Sequence, residues 1–502
     1  MRRNKVSVSW GAAVLLSSTF LLTMTGCSIR EAVRKAVDER TQTKLPDKPL
    51  NREQISEDVD YYVRTVEKIC PYPYMYSSKI KIDSIANDIK KNQSLEPMLF
   101  YKKLLQLQGA YNIAHHQAVF PEKEYHHYFQ KGGTIFPLEC EFRNDSLFVI
   151  STSDKSITVK KDEVILSING KSADSLFRNF TSYVGGLSAW KAKQVSKQFA
   201  KFLWLNNIDA PFTIETIDKN HKKSNLKIEG VNPETQLTNS DQTPMTENFD
   251  DVITYQRLND SIAVIDFKTM GITSGEKFSK FLKETFKDIQ SKKTKLLVVD
   301  LRKNGGGNSE YGDSLLHYFN SKPYRMAAEK KWMVSQEYKD NFKQMLPWYA
   351  RSFAVEKSGL KDYFEHKNGE LFDFAKEPKD TLTIPKSNDL RYKGIVWIII
   401  GNGTFSSAMM TANAIEDFKL ATLIGQPTAE CPNDLGENVP VWLPHSNICC
   451  WVSSALFTRA NGNSKDINPV LPNIYVEQAK LNSMNTETVI KYVMDHKMMK
   501  PK

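Results

Sequence analysis

Between Asn51 and Ala114 the apolar residues recur at helical intervals: Ile55, Val59, Val63 and Val66, then Ile82, Ile85 and Ile89, then Phe100, Leu104 and Leu105. That spacing lines one face of each of several successive helices and predicts an N-terminal helical domain over 51–130. From Phe136 to Ile228 the period shortens. The segments "SLFVIS", "SITVKKDEVILSINGKSAD" and "FTIETI" alternate as half-buried strands do, around an amphipathic helical insertion from Ala189 to Trp204. Residues 135–230 are therefore expected to form a β-rich domain. Val231 to Asn248 is polar and aperiodic and reads as a linker over 231–248. Beyond it, over 249–480, "SIAVIDF", "KLLVVDLR", "GIVWIIIG" and "LATLIG" are short apolar runs separated by helical stretches. Runs of that kind are buried in sheets covered on both faces and predict an α/β core. Residues 481–502 read as a C-terminal tail.

The first residues follow another pattern. Arg2, Arg3 and Lys5 precede the mostly apolar Val6 to Leu22, and Met24-Thr25-Gly26-Cys27 closes the stretch. A basic start, an apolar middle and a small residue at the end make a secretory signal. Gly26 before Cys27 resembles the lipobox of bacterial lipoproteins, which implies that 1–27 is a lipoprotein signal peptide and that Cys27 is the lipidation site. Residues 28–50 are then a polar tether. The expected location is the bacterial cell envelope, lipid-anchored to a membrane on its periplasmic side or at the cell surface. The formal charge of +10 is spread along the chain without a basic block, so no nucleic acid partner is expected. Cys70, Cys140, Cys431, Cys449 and Cys450 show no paired spacing and do not suggest a disulfide framework.

Two strand ends carry candidate chemistry. After Leu296 to Val299 comes Asp300-Leu301-Arg302-Lys303-Asn304-Gly305-Gly306-Gly307. Consecutive glycines belong where φ must be positive or where something approaches the main chain, and their N–H groups suit an anion or a developing oxyanion. A plain strand-to-helix turn is the competing explanation. A phosphate loop is not indicated, because no G-K-[ST] follows. The second stretch, Gly401-Asn402-Gly403-Thr404-Phe405-Ser406-Ser407, runs into a helix through Met409, Ala412 and Ile415. A serine at a helix N-terminus is placed where developing negative charge is favoured, but it is also an ordinary capping residue.

Taken together, D-L-R-K-N-G-G-G and the later G-x-x-T-F-S-S-A are similar to motifs of the serine peptidases that include the tail-specific (C-terminal processing) proteases, the tricorn core and the retinoid-binding-protein repeats. "LIGQPT" and "NPVLPNIYV" follow in the family's order, and Val159 to Ala173 resembles a PDZ strand. The resemblance implies a ClpP/crotonase-like α/β core with an N-terminal helical domain and an inserted PDZ-like β-rich domain that holds peptide or protein substrate. It implies Ser406 as nucleophile and the amides of Ser407 and Gly306, with Gly305, as the oxyanion hole. No cofactor is implied.

The base departs from the tail-specific pattern. Gly425-Gln426-Pro427-Thr428-Ala429-Glu430-Cys431 puts Cys431 where those enzymes carry lysine. Tricorn-like relatives use histidine, and Ala114-His115-His116 matches their stretch, which makes His115 the candidate base, suited to proton transfer near neutral pH. Glu430, Glu437 and Asp466 are all available as the acid that orients it. His126 and His127 are read as strand neighbours facing opposite ways, and with no H-E-x-x-H spacing no metal is expected. The rings of the 321–393 insertion, Trp332 and Phe372 among them, are expected to pack that insertion. A catalytically inactive peptide- or ligand-binding lipoprotein is the alternative, and thiol chemistry at Cys431 a third reading. Substrate specificity and oligomeric state are not legible.

Overall fold

The computed structural model describes residues 40–498 apart from 144, 153–155, 233–248, 273, 345–350, 358–359 and 374–381. Cys27 with its signal peptide, much of the tether and nearly all of the 231–248 linker lie outside the described residues. No described helix is long and apolar enough to cross a membrane.

The N-terminal periodicity becomes α1 (Arg52–Ile69), α2 (Lys79–Lys90) and α3 (Pro97–Tyr111). Asn51 accepts the Gln54 N–H and Gln54 reaches back to the Asn51 N–H, a reciprocal box that sets where α1 begins. α3 stops at Asn112, whose φ of 60° turns the chain into the loop that carries His115. After that loop come β1 (Gln117–Ala118) and α4 (Glu122–Gln130). His126 and His127 therefore sit on a helix, not on a strand as expected; neighbours there diverge by about 100° and still do not converge on one point.

Strands β2 (Leu138–Arg143), β3 (Ser146–Thr152), β4 (Val164–Ile168), β5 (Phe212–Ile217) and β6 (Lys223–Ile228) pair antiparallel in that order. Leu138, Cys140 and Phe142 point inward and alternate with half-exposed neighbours, as the sequence pattern requires. Between β4 and β5 the chain inserts α5 (Ala173–Thr181), α6 (Ser188–Lys197) and α7 (Phe199–Leu205).

The remaining strands are β7 (Ile253–Arg257), β8 (Ile262–Phe267), β9 (Leu296–Asp300), β10 (Glu329–Met333) and β11 (Leu371–Asp373), then β12 (Ile395–Ile400), β13 (Thr422–Gly425), β14 (Asp434–Trp442), β15 (Cys449–Thr458) and β16 (Ile474–Tyr475). They sort into two sheets. One, in the order β7-β8-β9-β12-β13-β16, is parallel except at its β7 edge. On one face it buries Phe278 and Leu282 of α8 (Gly275–Ser291), Leu315 of α9 (Ser309–Leu316) and Met409 of α10 (Ser407–Phe418). On the other, Leu481 of α11 (Gln478–Ser483) and Val489, Ile490 and Val493 of α12 (Thr486–Met498) pack on Val264, Val298 and Ile399. The stretch after 480, expected as a tail, is thus a packed layer of the core.

The second sheet, β11-β10-β15-β14 with β1 paired to β15, was not separable from the core by pattern. Cys449 to Ala455 of β15 are buried without a break, so neither face supplies the polar residues that make a strand alternate. This sheet shares one apolar core with the helical and β-rich domains, through Val59, Phe142 and Val452 among others. Trp332 is buried there against Tyr338 and Tyr363, so this ring of the insertion is packing.

Candidate active site

β9 and β12 are hydrogen-bonded parallel neighbours, Asp300 opposite Ile399, so the glycine and serine turns leave the same end of the sheet side by side. Asn304, fully buried, holds the first turn from within. Its Nδ2 donates to Phe267 O at 2.8 Å, its Oδ1 accepts the Gly306 N–H at 2.9 Å, and its carbonyl accepts the Phe405 N–H at 3.0 Å. Gly306 has φ 93°, and a Cβ there would stand 2.7 Å from Ser406 Cβ and 2.8 Å from Phe405 O. At Gly307, φ 138°, a Cβ would stand 2.2 Å from the Met270 carbonyl carbon. The glycines are required by close approach, and what approaches Gly306 is the serine turn.

The serine turn is fixed by Thr404, whose hydroxyl donates to Leu301 O at 2.8 Å and accepts the Gly401 N–H at 3.0 Å. Ser406 follows with φ 52° and ψ −127°, a conformation that costs a non-glycine residue roughly 1–3 kcal/mol and gathers at functional sites. Capping does not account for it, because the Ser406 side chain accepts no helix N–H. Among the described residues Ser406 Oγ has no hydrogen-bond partner. Ser407 instead ties the turns together, its hydroxyl donating to Gly307 O at 2.6 Å. Its amide, first in α10, has no intrahelical acceptor and is left for a ligand. The Gly306 amide, expected as an oxyanion donor, is occupied by Asn304 Oδ1. That correction leaves Gly305 beside Ser407 as the candidate donor from the glycine turn.

His115 comes from the loop after α3, buried and with its carbonyl accepting from Asn438 Nδ2 at 3.2 Å. The loop is backed by Gly185 and Gly186: a Cβ on Gly185 would meet Ile113 O at 2.3 Å, and the Gly186 N–H donates to Asn112 O at 3.1 Å. The imidazole lies 4.5 Å from the Phe405 ring, which stacks at 4.1 Å on Trp190 of α6. All three domains therefore meet at the residue that precedes Ser406.

The acid partner is a pair of carboxyls. His115 Nε2 is 3.3 Å from Glu430 Oε2 and 3.5 Å from Asp434 Oδ2, and Glu430 Oε1 accepts the Ser406 N–H. One buried carboxyl thus touches both the imidazole and the Ser406 amide. Burial pushes Glu430 up to about 7, against hydrogen bonds from Asp434 and the Ser406 amide. Burial, then the charge of Glu430, holds Asp434 well above the carboxylate range. Burial lowers His115, opposed by the charges of Asp434 and Glu437. Near neutral pH the cluster holds an uncharged imidazole beside carboxyls that keep a proton between them.

Of the three acids weighed from sequence, the structure brings Glu430 to the imidazole. Glu437 is ion-paired to Lys330 at 2.6 Å and acts on His115 only through its field. Asp466 is held by Arg459 at 2.7 Å. Asp434 and Asn304 were not among the candidates: the first closes Pro432-Asn433-Asp434, a stretch that departs from the family pattern, and the second stands inside the motif whose glycines carry the resemblance. His116, lowered to about 3 by burial and then by His115, packs beside Tyr111 and is a core residue. Cys431 donates to Asn433 O at 3.1 Å, and burial pushes its thiol up to about 12, an environment that disfavours a thiolate. Lys193 of α6 brings Nζ to 1.9 Å from where a Gly403 Cβ would stand, and burial, then Lys303, pushes it down to about 8.

Residues 261–440 match the model of peptidase family S41. Among solved structures, mature CPAF superposes with a TM-score of 0.60 at 13% identity, over 88% of this chain and 96% of that one. Mature CPAF complexed with lactacystin gives 0.60 at 12% identity, over 89% and 98%. At such identities the likeness is one of fold. No curated protein matches the chain.

Proposed function

We propose that this chain, whose 261–440 segment matches the model of peptidase family S41, is a membrane-anchored serine endopeptidase that cleaves peptide bonds through an acyl-enzyme on Ser406. The observation that carries the reading is Glu430, which holds the Ser406 amide with one oxygen and stands 3.3 Å from His115 Nε2 with the other. Substrate binds between the PDZ-like 135–230 domain and the α/β core, beside the contacts that Trp190 and Lys193 make with the serine turn. Its binding completes the approach of Ser406 Oγ to the imidazole, a contact that tightens only in the reacting complex.

Neutral His115 takes the hydroxyl proton as Oγ attacks the scissile carbonyl. Glu430 and Asp434 stabilise the imidazolium that forms. The oxyanion is held by the amides of Ser407 and Gly305 at the positive end of α10. His115 then protonates the leaving amine, and water, activated by the same base, releases the acyl group. Lipidation at Cys27 tethers the enzyme to the membrane of the cell envelope.

A fluorophosphonate probe tests this. Modification at Ser406, abolished by Ser406→Ala and strongly slowed by His115→Gln, supports it. Folded protein that binds peptides yet takes no label sinks the peptidase reading and leaves the inactive binding lipoprotein.

A further inference from the structure

Glu430 and Asp434 are two buried carboxyls, and among the described residues neither forms an ion pair with a lysine or arginine. Buried acids without a cationic partner are uncommon, because such charges are otherwise paired or bind metal. Glu430 Oε2 also makes no hydrogen bond although it is enclosed. A nitrogen of the His115 imidazole and one oxygen of each carboxyl all lie within 4.8 Å of one another.

The separations discriminate between cations. Zinc bonds imidazole nitrogen and carboxylate oxygen at about 2.0–2.2 Å in tetrahedral geometry, which spaces its ligand atoms roughly 3.3–3.5 Å apart. His115 Nε2 stands 3.3 Å from Glu430 Oε2 and 3.5 Å from Asp434 Oδ2, so two tetrahedral edges are already formed. Magnesium and calcium favour all-oxygen shells and are poorly served by an imidazole. A bound cation displaces the proton that the two carboxyls share, and the resulting pair of carboxylates with a neutral imidazole carries a charge that one dication cancels.

We infer that His115, Glu430 and Asp434 form a three-ligand site for a zinc-type divalent cation, whose occupancy switches the serine chemistry off. Coordination at Nε2 leaves the ring's one proton on Nδ1, so the imidazole has no lone pair to take the Ser406 proton, and it fixes the carboxyl that touches the Ser406 amide. The fourth position stays open to water. The switch rests on the reading of Ser406 as nucleophile; the metal site does not.

The test uses the mature chain stripped with chelator. Zinc chloride is titrated by calorimetry, with magnesium and calcium chloride as controls, and fluorophosphonate labelling is followed at each zinc concentration. The expected result is one zinc per chain, little response to the controls, and labelling that falls with the same midpoint and recovers on chelation. Asp434→Asn and His115→Gln, each checked for folding by circular dichroism, should weaken zinc binding at least about tenfold. Absence of stoichiometric zinc binding overturns the site, as does zinc binding undiminished in both variants. Zinc bound without loss of labelling overturns the switch alone. Protein that binds zinc as expected but never labels supports the site and refutes the peptidase reading.

Discussion

Replacing Glu430 by glutamine should separate what the buried acid does for catalysis from what it does to stability. In the folded chain its carboxyl titrates at about 7, raised from 4.5 chiefly by burial. Below pH 4.5 both folded and unfolded chains keep the proton and the burial is harmless. Between 4.5 and about 7 the unfolded chain ionises first, so folding loses free energy as pH rises, and above about 7 the loss is complete. At 1.36 kcal/mol per unit the full penalty is on the order of 3 kcal/mol. Glutamine has the same shape, still accepts the Ser406 N–H through Oε1 and carries no charge. Glu430→Gln should therefore stabilise the protein above pH 7 by on the order of 3 kcal/mol relative to its effect near pH 4.5, which is several degrees in midpoint. Thermal unfolding of both proteins at pH 5 and pH 8, with chelator present, measures it. An equal shift at both pH values, or destabilisation at pH 8, refutes the account of a burial-strained carboxyl. The same variant should lose most Ser406 labelling, a gain in stability with a loss of function.

The labelling rate of the parent protein should climb as pH rises through about 7, when Glu430 ionises, and the step should vanish in Glu430→Gln; a profile flat from pH 6 to 8 contradicts the role given to this acid. Ser406→Gly should be silent toward the probe yet more stable than the parent by about 1 kcal/mol, since glycine accepts a φ of 52° without strain; denaturant midpoints decide. Gly307→Ala forces a Cβ to 2.2 Å from the Met270 carbonyl carbon and should cost roughly 3 kcal/mol or more, and a loss under about 1 kcal/mol argues against the close approach of the glycine turn to Met270.

What the sequence disclosed follows the reach of its signals. Periodicity is local, so the buried faces of α1 to α3 and the apolar strands of the parallel sheet were readable. The β14–β15 hairpin was not, because residues such as Val452 are enclosed on both sides and leave no alternation. α12 went unread although Val489, Ile490 and Val493 sit at helical spacing, since a short amphipathic stretch at a chain end carries no sign of what it will cover. The two turns were legible through their glycines and serines. The acid was less so: His115 and Asp434 meet only because β1 pairs with β15 and Asn438 holds the His115 carbonyl, neither of which spacing along the chain reveals. Asn304 was visible as a letter, but two of its three hydrogen bonds reach segments elsewhere in the sequence, the Phe267 carbonyl and the Phe405 amide.

Arg302 stands two residues before Asn304, and its guanidinium pairs with Asp300 at 3.0 Å while donating to Leu481 O at 2.7 Å. Thr486 closes the arrangement with a hydroxyl 2.8 Å from Asp300 Oδ2. The final two helices are thereby latched to the loop that shapes the reaction centre. Clipping the polypeptide after residue 480 strips these outer partners, leaves an enclosed cation short of acceptors, and slackens the segment from which Asn304 works. On the proposed reading, damage at the carboxyl terminus disarms the site from a distance, with Ser406, His115 and Glu430 all still in the chain.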